Sequence, residues 1–488
     1  MIVQMANAFI LIPIALSFLS VELFGLWMLI LQMNVVYQLI DLGFSEAFSR
    51  VLIDSKEKGA ELYWQTVKTA WVVFGCQALA ILVVGLGIAS YLPGWLNIPD
   101  HLQGLAILLI QIIVANMVWT TLTRVFNQVL VSNQRMDLDN RAGFFGILGS
   151  FIFTCSALYL GLGIWSMVLG LIIGNFIVST LRYTFARSFC SFRFKILKSP
   201  FNQKLFKEIF KYGLDRFFAT LGDRLLRIIP TFAITRILGL EANAVWGIIN
   251  RGIIFCESLL CKPIETAYPG LAQMYVSAEN QILRKRYEQL VSMMSLGAAV
   301  TMVCIAVGLK PAINIWSAGT VVISDKLNLA VAIWFGIIVV KRSFWPVITI
   351  PKKMGWAKTS NIIDSSLLAI SIFLITERDS SIAIFVALLA VMTFGSSIPY
   401  MIYRARSFPE KIFPLEIFRR YIPVILGLLL SFFGWFSLQL VDSFNLMAVV
   451  SIAFVTSSCL ILISIYLCPV LKDSVAVILK TKKSKFFS

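Results

Sequence analysis

Residues 210–270 read FKYGLDRFFATLGDRLLRIIPTFAITRILGLEANAVWGIINRGIIFCESLLCKPIETAYPG. The stretch is long and apolar enough for two membrane-crossing helices. It nevertheless carries Arg216, Asp223, Arg224, Arg227, Arg236, Arg251, Glu257, Lys262 and Glu265. An ionisable group at membrane depth costs at least about 2.5–3.5 kcal/mol on insertion scales, so it is kept only against protein, a partner charge or a water-filled cavity. The excess here is cationic, and the expectation is a cavity that receives an anion.

Helical periodicity sharpens this. At about 100° per residue, Arg216, Thr220, Asp223, Arg224, Arg227 and Thr231 share an arc of roughly 100° on the first helix. Phe217, Phe218, Leu221, Leu225 and Ile229 occupy the opposite arc and suit lipid or neighbouring helices. On the second helix Asn243, Asn250 and Glu257 form a stripe flanked by Arg251 and Lys262. The competing reading is that these charges pair with one another, as Asp223 and Arg227 would at i,i+4. It leaves the surplus positive charge unaccounted for.

The whole chain has the same character. Its 488 residues are 59% hydrophobic and 14% charged, with a mean hydropathy of +0.85. Apolar runs of spanning length recur from end to end, which excludes a soluble enzyme or a large soluble domain. The net charge of +17 would suggest nucleic acid only if its location were ignored. Most of the charge lies in short loops, and no nucleic-acid partner is expected. The eight cysteines sit in or beside apolar helices without metal-ligand spacing, and read as small packing residues. No zinc spacing, nucleophile elbow or phosphate-cradling glycine loop is present, so no cofactor, metal or catalytic residue is expected.

The pattern predicts about fourteen helices, near 2–19, 23–52, 64–91, 105–132, 143–161, 165–187, 212–238, 242–271, 290–309, 327–350, 360–376, 381–403, 421–440 and 446–468. Connections on one side then hold only Lys310, Lys326 and Arg378, whereas those on the other hold clusters such as Arg187, Arg193, Lys195, Lys198, Lys204, Lys207 and Lys211. The positive-inside rule therefore places both termini in the cytoplasm. Segment 272–289 has the pattern of an amphipathic surface helix. The expected class is an all-α polytopic membrane protein: a six-helix lobe over 1–188, a basic cytoplasmic connector over 189–211, a second six-helix lobe over 212–404, and two further helices with a basic tail over 405–488.

Leu19, Glu22, Trp27, Ile30 and Glu46 recur at one constant offset as Leu238, Glu241, Trp246, Ile249 and Glu265. Both sets fall where the first helix of a lobe ends and its second begins. Six helices return the chain to the same side, so the lobes point the same way. That predicts an axis along the membrane normal with a central cavity between the lobes.

The second helix opens with Gly25–Leu26–Trp27 and closes with Asp41–Leu42–Gly43, followed by Arg50. This text resembles the amino-terminal signature of bacterial polysaccharide flippases of the O-antigen type, in the multidrug/oligosaccharidyl-lipid/polysaccharide exporter superfamily. The motif covers about thirty residues, and length and helix count extend the likeness to the whole chain. The chain differs at its start, where such proteins usually carry a further stretch before the first helix. The resemblance implies a flippase in the bacterial cytoplasmic (inner) membrane, working by alternating access. Its substrate would be an undecaprenyl-pyrophosphate-linked oligosaccharide, a repeat unit of lipopolysaccharide or another surface polysaccharide. Membrane lipid surrounds it, and the glycan polymerase or ligase machinery is the expected protein partner. Arg50 matches the motif arginine.

The remaining site candidates come from helical position. A diphosphate needs donors and positive charge, and the arginine fork matches phosphate geometry. Arg224, Arg227 and Arg251 lie closest to the expected midplane, with Arg216 on the same arc as the first two. Lys341 and Arg342 lie about nine residues from the inner end of their helix, or roughly 13 Å at 1.5 Å per residue. Snorkelling to inner headgroups is their other reading. Asp41, Asp223 and Glu257 are candidates for charge balance or ion coupling, charge balance being preferred. Arg124 and Asn127 are further lining candidates, and Arg182 reads as an end-of-helix anchor. Pro230, Pro263 and Pro346 are expected to kink their helices. The competing functions are a drug or cation exporter of the same superfamily, which would want an acidic site, and a membrane-embedded glycan polymerase or ligase, which would want a large catalytic outer loop.

Overall fold

The computed structural model describes residues 2–41, 43–189, 200–350, 355–374, 381–399, 420–439 and 446–467. Among these the secondary structure is helical, and each expected segment overlaps described helix, three of them running over two consecutive helices. They are α1 (Ile2–Phe18), α2 (Val21–Ile40), α3 (Phe44–Lys58), α4 (Ala60–Trp95), α5 (Asp100–Leu122), α6 (Arg124–Ser132), α7 (Met136–Tyr159), α8 (Ile164–Phe189) and α9 (Gln203–Val276). Then come α10 (Asn280–Trp316), α11 (Asp325–Ser343), α12 (Trp345–Thr349), α13 (Gly355–Leu374), α14 (Ile382–Met392) with a π turn over Thr393–Ser397, α15 (Ile422–Gln439) and α16 (Leu446–Leu467). Among the described residues seven stretches are long and apolar enough to cross a membrane, and shorter apolar helices accompany them. The chain is an all-helical, polytopic membrane protein.

The differences from expectation are breaks and fusions. The segment expected as one helix over 23–52 is two, because Gly43 adopts φ 72° between α2 and α3, and the segment expected over 105–132 divides at Thr123 into α5 and α6. The segment over 327–350 breaks at Phe344, just before Pro346, which has no N–H to give to a ladder. Pro230 and Pro263 do not interrupt α9, whose non-helical residue is Gly239 at φ 88°, ψ −177°. That conformation is open to glycine and strained for other residues. It folds α9 back on itself, so that Trp246 Nε1 donates to Thr231 Oγ1 at 3.2 Å across the break. The segment 272–289 is not a separate surface helix: after a turn at Ser277–Glu279 it is continuous with the span as α10.

The chain divides into two compact units, Met1–Gly247 and Ile248–Ser488. Residues 190–199 of the expected connector, and residues 400–419 and 468–488, fall outside the described residues.

In the first unit α7 packs along α8 through small residues. A Cβ on Gly146 would sit 2.9 Å from the Gly174 carbonyl, and one on Gly174 would sit 2.9 Å from the Gly146 carbonyl. With little apolar driving force between helices in lipid, such close backbone approach supplies the packing. At the other end Phe44, Phe48, Leu52, Val67, Phe74, Val125 and Val129 form one buried cluster from α3, α4 and α6. In the second unit α10 is the central post. The most apolar part of α10 is 61% buried, against 33% for α4, which leaves Leu79, Val83 and Tyr91 of α4 exposed. Helices α11, α15 and α16 pack on α10, with Ala299, Val303 and Leu460 at the contact.

The start of α2 and the start of the second half of α9 abut. Asn243 Nδ2 donates to the Gly25 carbonyl at 2.9 Å. A Cβ on Gly25 would lie 1.9 Å from the Leu240 carbonyl oxygen, so the glycine of the Gly25–Leu26–Trp27 text is there for close backbone approach. Trp27 and Trp246, partners in the sequence repeat, are both buried.

Candidate functional site

The break between α2 and α3 is where the first unit gathers its charges. Asp41 directly follows α2, and its main-chain carbonyl accepts from Gln77 Nε2 at 2.9 Å. Its carboxylate accepts from Ser45 Oγ at 2.9 Å and pairs with Arg124 Nη1, which also donates to Ser45 Oγ at 2.7 Å. Arg124 lies over the Phe74 ring at 5.7 Å. Close by, Asp139 Oδ1 accepts from Asn127 Nδ2 at 2.8 Å and from Arg182 Nε at 2.7 Å. Arg182, read from the sequence as an end-of-helix anchor, is paired with an aspartate in the first turn of α7. Arg182 and Arg224 both act electrostatically on Arg124. Among the described side chains, three arginines gather around Asp41 and Asp139.

The first-helix arc does not act as one face. Arg224 is half-buried near this cluster, and Arg227 is exposed. Thr231 is buried at a helix contact, where its Oγ1 accepts from Trp246 Nε1 at 3.2 Å and from Gln32 Nε2 at 3.3 Å. Asn243, expected on the second-helix stripe, is fully buried and bonded to Gly25, so it serves packing. Arg50 is exposed on α3. The side chains of Arg216 and Asp223 lie outside the described ones.

In the second unit Arg251 is half-buried within the long apolar stretch Thr220–Val276, and has no hydrogen bond or ion pair among the described residues. The other expected cations there are paired. Arg342 Nε donates to Glu257 Oε1 at 2.9 Å. Lys341 Nζ donates to Asn361 Oδ1 at 3.1 Å and to Asp364 Oδ2 at 3.3 Å, and Asp364 is fully buried. Each cation is turned to a carboxylate on another helix or helix half, as the low dielectric demands. Sequence periodicity could find Lys341 and Arg342 but not these partners, which come from α13 and from α9.

The fold is shared with solved structures at low sequence identity. A lipid II flippase, MurJ, in an inward closed conformation aligns with a TM-score of 0.72 at 13% identity, covering 95% of this chain and 97% of that one. An inward-facing multidrug resistance MATE family transporter of the MOP superfamily aligns with a TM-score of 0.64 at 12% identity, covering 83% and 94%. The Vibrio cholerae MATE transporter VcmN aligns with a TM-score of 0.58 at 15% identity, covering 84% and 94%. No curated protein sequence matches the chain. The sequence profile of the polysaccharide biosynthesis protein family matches residues 17–317, well over half of the chain, and the chain belongs to that family.

Proposed function

We propose that this protein is a flippase that moves an undecaprenyl-pyrophosphate-linked oligosaccharide, a repeat unit of a surface polysaccharide such as O-antigen, from the inner to the outer leaflet. The observation that carries the reading is Arg251, a half-buried guanidinium in an apolar span with no ion-pair partner among the described residues. An uncompensated charge at membrane depth is costly and marks a substrate path. An anionic headgroup supplies the missing partner during transit. Membership of the polysaccharide biosynthesis family, and a fold shared with a protein named as a lipid II flippase, point the same way.

In this reading Arg224, Arg227 and Arg251 are the residues that donate to the pyrophosphate. Arg50, Arg216, Lys341 and Arg342 are further cationic candidates along the path. Asp41, Asp223 and Glu257 balance charge. Binding must be transient, so a few charge-assisted bonds suit the task better than a deep, fully complementary site. The protein sits in the bacterial inner membrane, hands its product to polymerase or ligase machinery, and performs no covalent step.

The test is a leaflet-resolved assay of undecaprenyl-linked sugars in cells lacking the protein. Complete oligosaccharide-lipid accumulating on the inner leaflet, with surface glycan missing, is the expected result. Complete units left unpolymerised on the outer leaflet would point to an enzyme, and unchanged pools to a drug exporter.

A further inference from the structure

The second half of α9, the end of α11 and the start of α12 enclose a cavity of about 280 Å³. Its wall includes Cys261, Glu265, Tyr268, Arg342, Trp345 and Pro346. The sequence puts them there for simple reasons. Cys261, Glu265 and Tyr268 follow at four and three residues, and so share one face of α9. The break at Phe344 ends α11 and brings Trp345 and Pro346 to the same wall as Arg342.

The charges of this wall are balanced. Arg342 is bonded to Glu257 at 2.9 Å, and Glu265 Oε2 accepts from Lys262 Nζ at 3.4 Å. The wall itself carries one carboxylate, Glu265, and one guanidinium, Arg342, so a pyrophosphate approaching here meets Glu265 and a cationic drug meets Arg342. Neither charge is favoured, yet the wall is rich in hydrogen-bonding groups: a carboxylate that accepts, a guanidinium that donates, and a tyrosine hydroxyl that does both. Beside them stand two aromatic side chains, Tyr268 and Trp345, each with an apolar face and a polar tip. A few placed polar groups in an otherwise apolar and aromatic hollow is the build of a small-ligand site.

A neutral, polyhydroxylated ring fits this chemistry. One face of a pyranose is lined with C–H groups and lies against an aromatic ring, while its hydroxyls bond to carboxylate and guanidinium. The space suits a single ring. We propose that this cavity is a saccharide subsite that takes one uncharged sugar residue of the lipid-linked glycan. The inference rests on the proposed function, and it moves Arg342 from phosphate donor to sugar donor. Selectivity for the glycan then has a physical seat in the second unit, apart from the arginines that attract the headgroup.

The test uses the purified full-length protein in detergent, with saturation-transfer NMR on a panel of methyl glycosides (glucoside, galactoside, mannoside, rhamnoside and N-acetylglucosaminide) and with inorganic pyrophosphate as competitor. The expected result is saturation transfer to at least one glycoside, undiminished by pyrophosphate. It should weaken about tenfold in affinity in Trp345→Ala, the scale of a lost aromatic contact and its buried area. Glu265→Gln keeps the side-chain volume at a half-exposed position, so it should elute monodisperse like the wild type while binding more weakly. No transfer from any glycoside, equal transfer in wild type and both variants, or displacement by pyrophosphate would each overturn the subsite. The leaflet assay is independent of this one. Accumulation of lipid-linked sugar without glycoside binding sinks only the subsite; glycoside binding without accumulation sinks the flippase reading and leaves the subsite standing.

Discussion

At the scale of single residues, two arginines make the contrast that matters. Arg124 is held by Asp41 and Ser45, whereas Arg251 has no such partner among the described residues. Removing one member of a well-buried pair leaves an unpartnered charge and costs about 3–5 kcal/mol. Asp41→Asn should therefore lower the thermal stability of the purified protein clearly, and Arg124→Ala should do so as much or more. A melting temperature within a degree of wild type for both would show that the pair contributes little. Arg251 should behave in the opposite sense. Arg251→Glu should abolish glycan export at near-normal protein level, and Arg251→Lys should keep part of it, because charge is retained while the fork is lost. Loss of folded protein in both variants would assign Arg251 to structure. The sequence identified these arginines as unusual from their depth alone. It could not tell a paired one from an unpaired one, because Asp41 and Arg124 are 83 residues apart and meet only through packing.

Helices show how much periodicity can carry and where it stops. The seven spanning stretches among the described residues were legible, because a run of apolar residues has few other uses. Breaks were harder. Pro346 signalled one beside Phe344, but Pro230 and Pro263 leave α9 unbroken, while Gly43 and Gly239 make the turns. Proline in a membrane helix removes a donor and crowds the preceding turn, which the helix can absorb; a glycine at positive φ takes the chain out of helical conformation. The close contact of α2 with α9 gives the element-scale prediction. Gly25→Ala would drive its methyl into the Leu240 carbonyl at 1.9 Å, where no flexible side chain can yield. We expect a loss of about 1–3 kcal/mol or more, read as a reduced monodisperse fraction after extraction. Gly87→Ala, with open space around it, should be indistinguishable from wild type. If Gly25→Ala extracts as well as Gly87→Ala, the close approach of α2 to α9 contributes little to stability.

For the whole molecule, the charge asymmetry of the connections makes a testable statement about sidedness. Ser277, in the turn after α9, and Ser324, just before α11, are both exposed. Cysteines at these two positions, in a background without native cysteines, should react with an impermeant maleimide from opposite sides, Ser277→Cys from the cytoplasm. Labelling of both from one side would overturn the helix count and with it the expected cytoplasmic termini. The paired aromatic and charged wall around Trp345 also belongs to this scale, since it joins residues from α9, α11 and α12 that share no local pattern.

The sequence by itself determined that the chain is helical, that it crosses a membrane many times, and which polar residues lie at depth. These follow from one-dimensional rules: an apolar run must span, and an ion in lipid must have a reason. Only the tertiary structure decided what those residues do. Asn243 was expected on a cavity stripe and instead holds Gly25; Thr231 joins helices; Lys341 and Arg342 are turned to Asp364 and Glu257. The physical reason is that helical position fixes a direction from the axis but not what stands there. In low dielectric the partner that stands there settles whether a charge is a bond within the protein or a site awaiting a ligand.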